Sequence, residues 1–304
     1  MRLLIVGAGA VGGYFGACLA RAGRDVTFLV RPARAERLRT DGLRVEQGDA
    51  SFAIAPKLEV TGAVGATYDA IVLAVKAYSL EDAMRDFAPA VGDDTMIVPW
   101  LNGMRHLDTL AARFGERAVL GGVSAIVASL ASDGAIAVAP GSQTIVRYGE
   151  RAGGVSARVE ALDAALRDAG FDAAASAEIV TDMWRKWVVL ASLGALNALM
   201  RGTVGEIEAA GGAPVASRLI DEVAAVAAAA GHPPGADAVA GYRAFLTERG
   251  SANTSSMYRD LVAGNPVEAE HIVGDLVARA RSLGVATPLL EAALVNLRVY
   301  ENRR

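Results

Sequence analysis

Leu3-Leu4-Ile5-Val6-Gly7-Ala8-Gly9-Ala10-Val11-Gly12, near the start of a 304-residue chain, is an apolar run that breaks directly into a GxGxxG. The apolar run reads as a buried strand, and the residues after it as the start of a helix. In that context each glycine has a task. Gly7 permits the tight turn, Gly9 lets backbone approach a pyrophosphate, and Gly12 lets helix and strand pack closely, with the helix N-terminus facing the anion. A glycine-rich turn with no ligand is the bland alternative, and the strand-turn-helix context argues against it. Gly7, Ala8, Gly9, Ala10, Val11 and Gly12 are therefore the expected dinucleotide-binding loop.

Outward from this loop, Val11 to Ala22 reads as a helix ended by Gly23, and Val26-Thr27-Phe28-Leu29-Val30 as the next strand, which closes one βαβ unit. The alternation continues with a strand at Ala70-Ile71-Val72-Leu73-Ala74-Val75, a helix from Leu80 to Phe87, a strand from Met96 to Trp100 and a helix from Leu107 to Phe114. Further strands are expected near Val119, Ile136 and Ile145. Beyond about Ala175 the pattern turns helical. Ser176 is placed to cap a helix running to Arg201, with Gly202 as its stop. Ser217 to Ala230, Pro266 to Leu283 and Pro288 to Tyr300 complete the set, the last two with proline at the helix start. The expected fold is α/β: a Rossmann-type parallel-sheet domain over residues 1–175 and an all-helical substrate and catalytic domain over 176–304.

Composition removes several function classes. Lys and Arg number 30 against 34 Asp and Glu, so no global positive excess is available to neutralise a nucleic-acid backbone. Nucleic acid is not expected as a partner. Cys18 is the only cysteine, which excludes an intrachain disulfide and a thiolate metal cage and favours a reducing, cytoplasmic setting. His106, His232 and His271 lie far apart in the chain, so no metal is expected. Leu3 to Ala20 is free of charge, but its glycines interrupt it, and neither a membrane span nor a signal peptide is expected. The last helices are apolar enough for a homodimer, although core packing accounts for them equally well.

At the end of the second strand, where an acidic residue would bind the ribose of NAD, stands Arg31, with Arg34 close behind. A guanidinium there pairs with a 2'-phosphate, so NADP(H) is the expected cofactor. Lys76 and Asn102 follow two further strands on the ligand-binding edge of such a sheet, where they would face the nicotinamide ribose or the substrate.

The glycine-rich opening, Arg31, Val75-Lys76-Ala77-Tyr78, Asn102-Gly103-Met104, Met183-Trp184-Arg185-Lys186, Asn253-Thr254-Ser255-Ser256-Met257 and Glu268 before Gly274 together resemble the ketopantoate reductases over nearly the whole chain. The resemblance implies an enzyme that reduces a 2-keto acid with NADPH, a Rossmann domain and a helical domain. It implies Lys186 as the catalytic lysine, Glu268 as the carboxylate near the lysine and the cofactor, and Asn253 and Ser256 as substrate-binding residues. Physical reasoning agrees for Lys186: hydride delivery to a carbonyl leaves an alkoxide, and an ammonium supplies both the proton and the positive charge it needs.

Three positions depart from the family pattern. Leu190, Gly194 and Val204 stand where the family places asparagines that bind ketopantoate's hydroxyl and carboxylate. Asn197, nearly in line with Lys186 on a helix, is the expected partial substitute, and Gly194 is expected to leave a gap for a bulkier substrate. The first reading is thus reduction of a keto acid or related carbonyl more apolar than ketopantoate. Ketopantoate reduction itself is the second, and a non-catalytic NADP-binding regulator the third. Retention of both Lys186 and Glu268 argues against the regulator.

Overall fold

A computed structural model describes Met1–Arg304. Its strands are β1 (Arg2–Val6), β2 (Asp25–Val30), β3 (Leu43–Gln47), β4 (Ala50–Ile54), β5 (Lys57–Val60), β6 (Ala70–Leu73), β7 (Met96–Pro99), β8 (Gly121–Ala125), β9 (Ala128–Leu130), β10 (Ile136–Val138), β11 (Ile145–Gly149) and β12 (Asp172–Ala175). Among them run α1 (Ala10–Arg21), α2 (Pro32–Asp41), α3 (Leu80–Phe87), α4 (Arg105–Phe114) and α5 (Ala157–Leu166). After β12 come only helices: α6 (Ile179–Met200), α7 (Val204–Ala209), α8 (Ala213–Ala229), α9 (Ala236–Leu246), α10 (Ser256–Val262), a π-helical turn at Glu270–Gly274, α11 (Asp275–Ser282) and α12 (Pro288–Arg303). The α/β class with a helical carboxy-terminal part agrees with the sequence reading.

The chain divides into two compact units, one of Met1–Leu101 with His106–Val180 and the other of Asn102–Arg105 with Thr181–Arg304. In the first unit the main sheet has the order β5-β2-β1-β6-β7, and every neighbouring pair is parallel. The order in which strands are added to the sheet reverses between β1 and β6. Ligands of such sheets bind outside the carboxyl ends of the strands at that switch point. Leu3, Leu4 and Ile5 of β1 and Ile71, Val72 and Leu73 of β6 are all inaccessible to solvent, as in a parallel sheet buried on both faces. A second sheet, β4-β3-β10-β9, and a third, β12-β11-β8, complete the unit.

α1 packs on the sheet through its glycines. A Cβ on Gly16 would lie 2.5 Å from Phe28, and one on Gly13 would lie 2.4 Å from Ile136. In the helical unit, α6 is deeply buried at Trp187, Val188, Ala191, Ala195 and Leu196. Two start signals read differently in three dimensions. The Ser176 hydroxyl accepts from the Glu178 amide in a turn, and α6 begins only at Ile179. Pro266 does not open a helix; its successor Val267 donates its amide to the Glu301 carboxylate at 2.8 Å, and helical backbone starts after Glu268.

Candidate active site

In the sheet unit the expected nucleotide loop has the geometry its glycines call for. Gly7 has φ +99°, a conformation L side chains rarely adopt, and a Cβ there would press on Val75 and the Ala74 carbonyl at 3.1 and 3.2 Å. A Cβ on Gly12 would lie 2.3 Å from the Gly7 oxygen and 2.7 Å from Ala74. A Cβ on Gly9 would meet nothing within 4 Å, so the space beside that backbone is open. Gly9 is the N-cap of α1, whose first turn holds no acidic residue. Ala8 completes the turn between β1 and α1, and Ala10 and Val11 open the helix. Arg31 is exposed as the N-cap of α2, again with no acid in the first turn. Lys76, partly buried, caps the short 3₁₀ turn Ala77–Ser79 directly beyond β6. An open glycine, a helix N-terminus and an exposed arginine fit an anionic dinucleotide.

The helical unit brings together Lys186, Asn102 and Glu268. Lys186 lies in the first half of α6, and its Nζ donates to Asn102 Oδ1 at 3.0 Å. Burial pushes the lysine down to about 8, while the charge of Glu268 opposes the fall. Glu268 is 5% exposed, two residues ahead of the π-helical turn. That turn is fixed from two sides. The Trp187 indole donates to the Ile272 carbonyl at 2.9 Å, and Gly103 approaches the His271 carbonyl so closely that a Cβ would lie 2.4 Å from it. Gly103 also has φ +80°, so the residue after Asn102 is glycine on both counts. π-helical turns are rare and concentrate at functional sites. His271 in this turn is pushed below the ordinary imidazole range by burial and by Arg105, with Glu268, Asp275 and Glu270 opposing.

The other candidates make contacts of their own. Asn253 is exposed, its side-chain amide 3.5 Å from a Glu248 oxygen and its carbonyl accepting from the Val204 amide at 3.1 Å. Ser256 is partly buried at the first position of α10, behind the Ser255 cap whose hydroxyl accepts from the Tyr258 amide. Asn197 differs from the expectation of a substrate contact. It is fully buried, donates to the Gly202 carbonyl at 2.8 Å and accepts from the Ser255 amide at 2.8 Å, so its amide holds two backbone segments together. Gly194 leaves no gap either: the Met257 methyl lies 2.7 Å from where its Cβ would be. Leu190 is partly buried and Val204 fully so. Sequence reasoning missed the pairing of Asn102 with Lys186, because 84 residues separate them.

A doubly wound sheet opened by a phosphate-type glycine turn, followed in the chain by a helical unit with a depressed lysine, is the arrangement of Rossmann-type oxidoreductases. Family comparison narrows this. The profile described as "Ketopantoate reductase PanE/ApbA" matches residues 3–152, and its C-terminal counterpart matches residues 178–301. The chain belongs to the ketopantoate reductase family of oxidoreductases. It is 37% identical to the uncharacterized oxidoreductase YkpB of Bacillus subtilis, with 99% of each chain covered. It is 31% identical to a 2-dehydropantoate 2-reductase of Mesorhizobium japonicum, over 98% of this chain and 97% of the relative. Among solved structures, a 2-dehydropantoate 2-reductase from Methylococcus capsulatus superposes with a TM-score of 0.86 at 30% identity, covering 100% of this chain and 97% of that one.

Proposed function

We propose that this protein reduces a 2-keto acid, or a related carbonyl compound, to the corresponding alcohol with NADPH, and that Lys186 is the general acid. Residues 1–175 form the NADP(H)-binding domain in this reading, and residues 176–304 the substrate and catalytic domain. The glycine-rich loop from Gly7 to Gly12 would hold the pyrophosphate, Arg31 the 2'-phosphate, and Lys76 and Asn102 the nicotinamide half. When bound, NADPH supplies the hydride that reaches the carbonyl carbon. Lys186 Nζ gives a proton to the carbonyl oxygen and stabilises the charge gathering there. A pKa of about 8 suits that transfer, since the ammonium is populated at neutral pH and gives its proton up readily. Glu268 keeps the lysine from falling further. Asn253 and Ser256 would bind the substrate, while Asn197 positions their segment through Ser255.

The single observation that supports this reading most is the depressed Lys186 ammonium bonded to Asn102 in the same unit as Glu268. Consumption of NADPH against a panel of 2-keto acids tests it. Turnover with apolar keto acids is expected, and no turnover with any member would contradict the reading. The second reading, ketopantoate reduction itself, is favoured by relatives named 2-dehydropantoate 2-reductase. With Leu190, Gly194 and Val204 in place of amides, two lost hydrogen bonds of about 1–2 kcal/mol each predict kcat/KM for ketopantoate roughly 30- to 1,000-fold below that of a site that keeps them. Efficient ketopantoate turnover would promote the second reading. A homodimer is part of the proposal; Val295 and Val299 leave an apolar stripe exposed on α12, and sedimentation at micromolar concentration tests it.

A further inference from the structure

Arg34 bonds back to the glycine-rich loop. From the first turn of α2, its Nη2 donates to the Ala8 carbonyl within the glycine-rich loop at 3.3 Å and to the Gly134 carbonyl, just before β10, at 3.3 Å. The turn it reaches is itself secured. Arg37 donates to the Ser132 carbonyl at 3.2 Å, and Arg44 donates to the Asp133 carbonyl at 3.1 Å and to the Asp133 carboxylate at 2.6 Å. Asp133 in turn accepts from the Ala135 amide at 3.1 Å. Gly134 has φ +86°, and a Cβ on it would lie 3.0 Å from Arg34 Nη1. Two residues later Ile136 fills the space that Gly13 leaves at the start of α1. The second sheet thus meets the nucleotide loop through Arg34 and packs on the helix that follows it at Gly13.

A trans peptide plane points its C=O and its N–H in opposite directions. Fixing the Ala8 oxygen therefore fixes the direction of the Gly9 N–H, at the glycine whose flank is open. We propose that Arg34 is a positioning residue for dinucleotide binding, setting the Ala8–Gly9 peptide plane against the Ser132–Gly134 turn. The inference rests on the proposed cofactor reading and assigns Arg34 a task distinct from the 2'-phosphate contact given to Arg31. Its consequence is that Arg34 serves NADPH and NADH alike.

Arg34→Met, which keeps an apolar stem and removes the donors, tests this. Dissociation constants for NADPH and NADH are read from tryptophan fluorescence, with hydrogen exchange of the Gly7 to Gly13 amides measured in the cofactor-free protein. Both dissociation constants are expected to rise about tenfold with their ratio unchanged, and loop exchange to accelerate about tenfold. Unchanged affinity for both nucleotides, loss confined to NADPH, or unaltered loop exchange overturns the proposal. If wild-type protein binds neither nucleotide, the cofactor reading fails and takes the positioning role with it, whereas wild-type protein that binds, with an Arg34→Met variant that binds both nucleotides as tightly, refutes only the role of Arg34. Should Arg34→Met not fold, Arg34→Gln, whose shorter amide cannot span both carbonyls, gives the same readouts.

Discussion

Replacing Asn197 by alanine should cost the protein stability before it costs any substrate contact. The side chain is fully buried and both ends of its amide are used, one on the Gly202 carbonyl and one on the Ser255 amide, each at 2.8 Å. Alanine strands both backbone groups in a dry environment. Each costs about 1–3 kcal/mol, so the pair costs roughly 2–5 kcal/mol after partial relaxation. With a centre of about 3 kcal/mol and about 2–4 °C per kcal/mol, Tm falls by about 6–12 °C. The assay is thermal and urea unfolding of wild-type protein and Asn197→Ala, with the KM of the best keto acid measured below the transition. A Tm within about 2 °C of wild type together with a KM raised tenfold or more would refute the structural role and return Asn197 to the substrate.

Arg31→Ala is expected to erase an NADPH preference of at least about tenfold over NADH, measured as the ratio of dissociation constants; an unchanged ratio would show that the 2'-phosphate is read elsewhere. Gly194→Asn alone should destabilise the helical unit by about 1–3 kcal/mol, because the new side chain displaces the Met257 methyl, and Gly194→Asn with Met257→Ala should recover much of that in urea unfolding. Additive losses in the double variant would show that Met257 is not the obstacle. Lys186→Ala should lower kcat by on the order of 10²- to 10⁴-fold while leaving NADPH affinity nearly intact, and near wild-type turnover would show the role misassigned.

How much of this was legible in the sequence depended on whether the partners lie close in the chain. β1, the glycine turn, α1, β2 and α3 are local: apolar runs and glycine punctuation specify them, and the structure reproduces them to within about a residue. β3 and β4 went unread because Leu43–Gln47 and Ala50–Ile54 are half exposed and have no continuous apolar run. Pro266 misled because proline can open a helix, yet the Val267 amide is taken by Glu301, which is 34 residues away. The same limit hid the Asn102–Lys186 bond, the seat of Met257 on Gly194, and the link of Asn197 to Ser255. Chemistry-bearing residue types were visible one at a time. Their partners depended on tertiary packing that no periodicity encodes.

In the proposed reaction Lys186 donates a proton from an ammonium whose pKa lies near 8, and the pH dependence of kcat for keto acid reduction with saturating NADPH tests this role. The acid must be protonated to act, so kcat is full below that pKa and falls as pH rises through it. Burial sets the low value and Glu268 moderates it. A single alkaline limb near pH 8 is expected in wild-type protein, displaced to lower pH in Glu268→Gln because the opposing charge is gone. A kcat that stays flat through pH 9 in wild-type protein, or a limb that moves upward in Glu268→Gln, would contradict it.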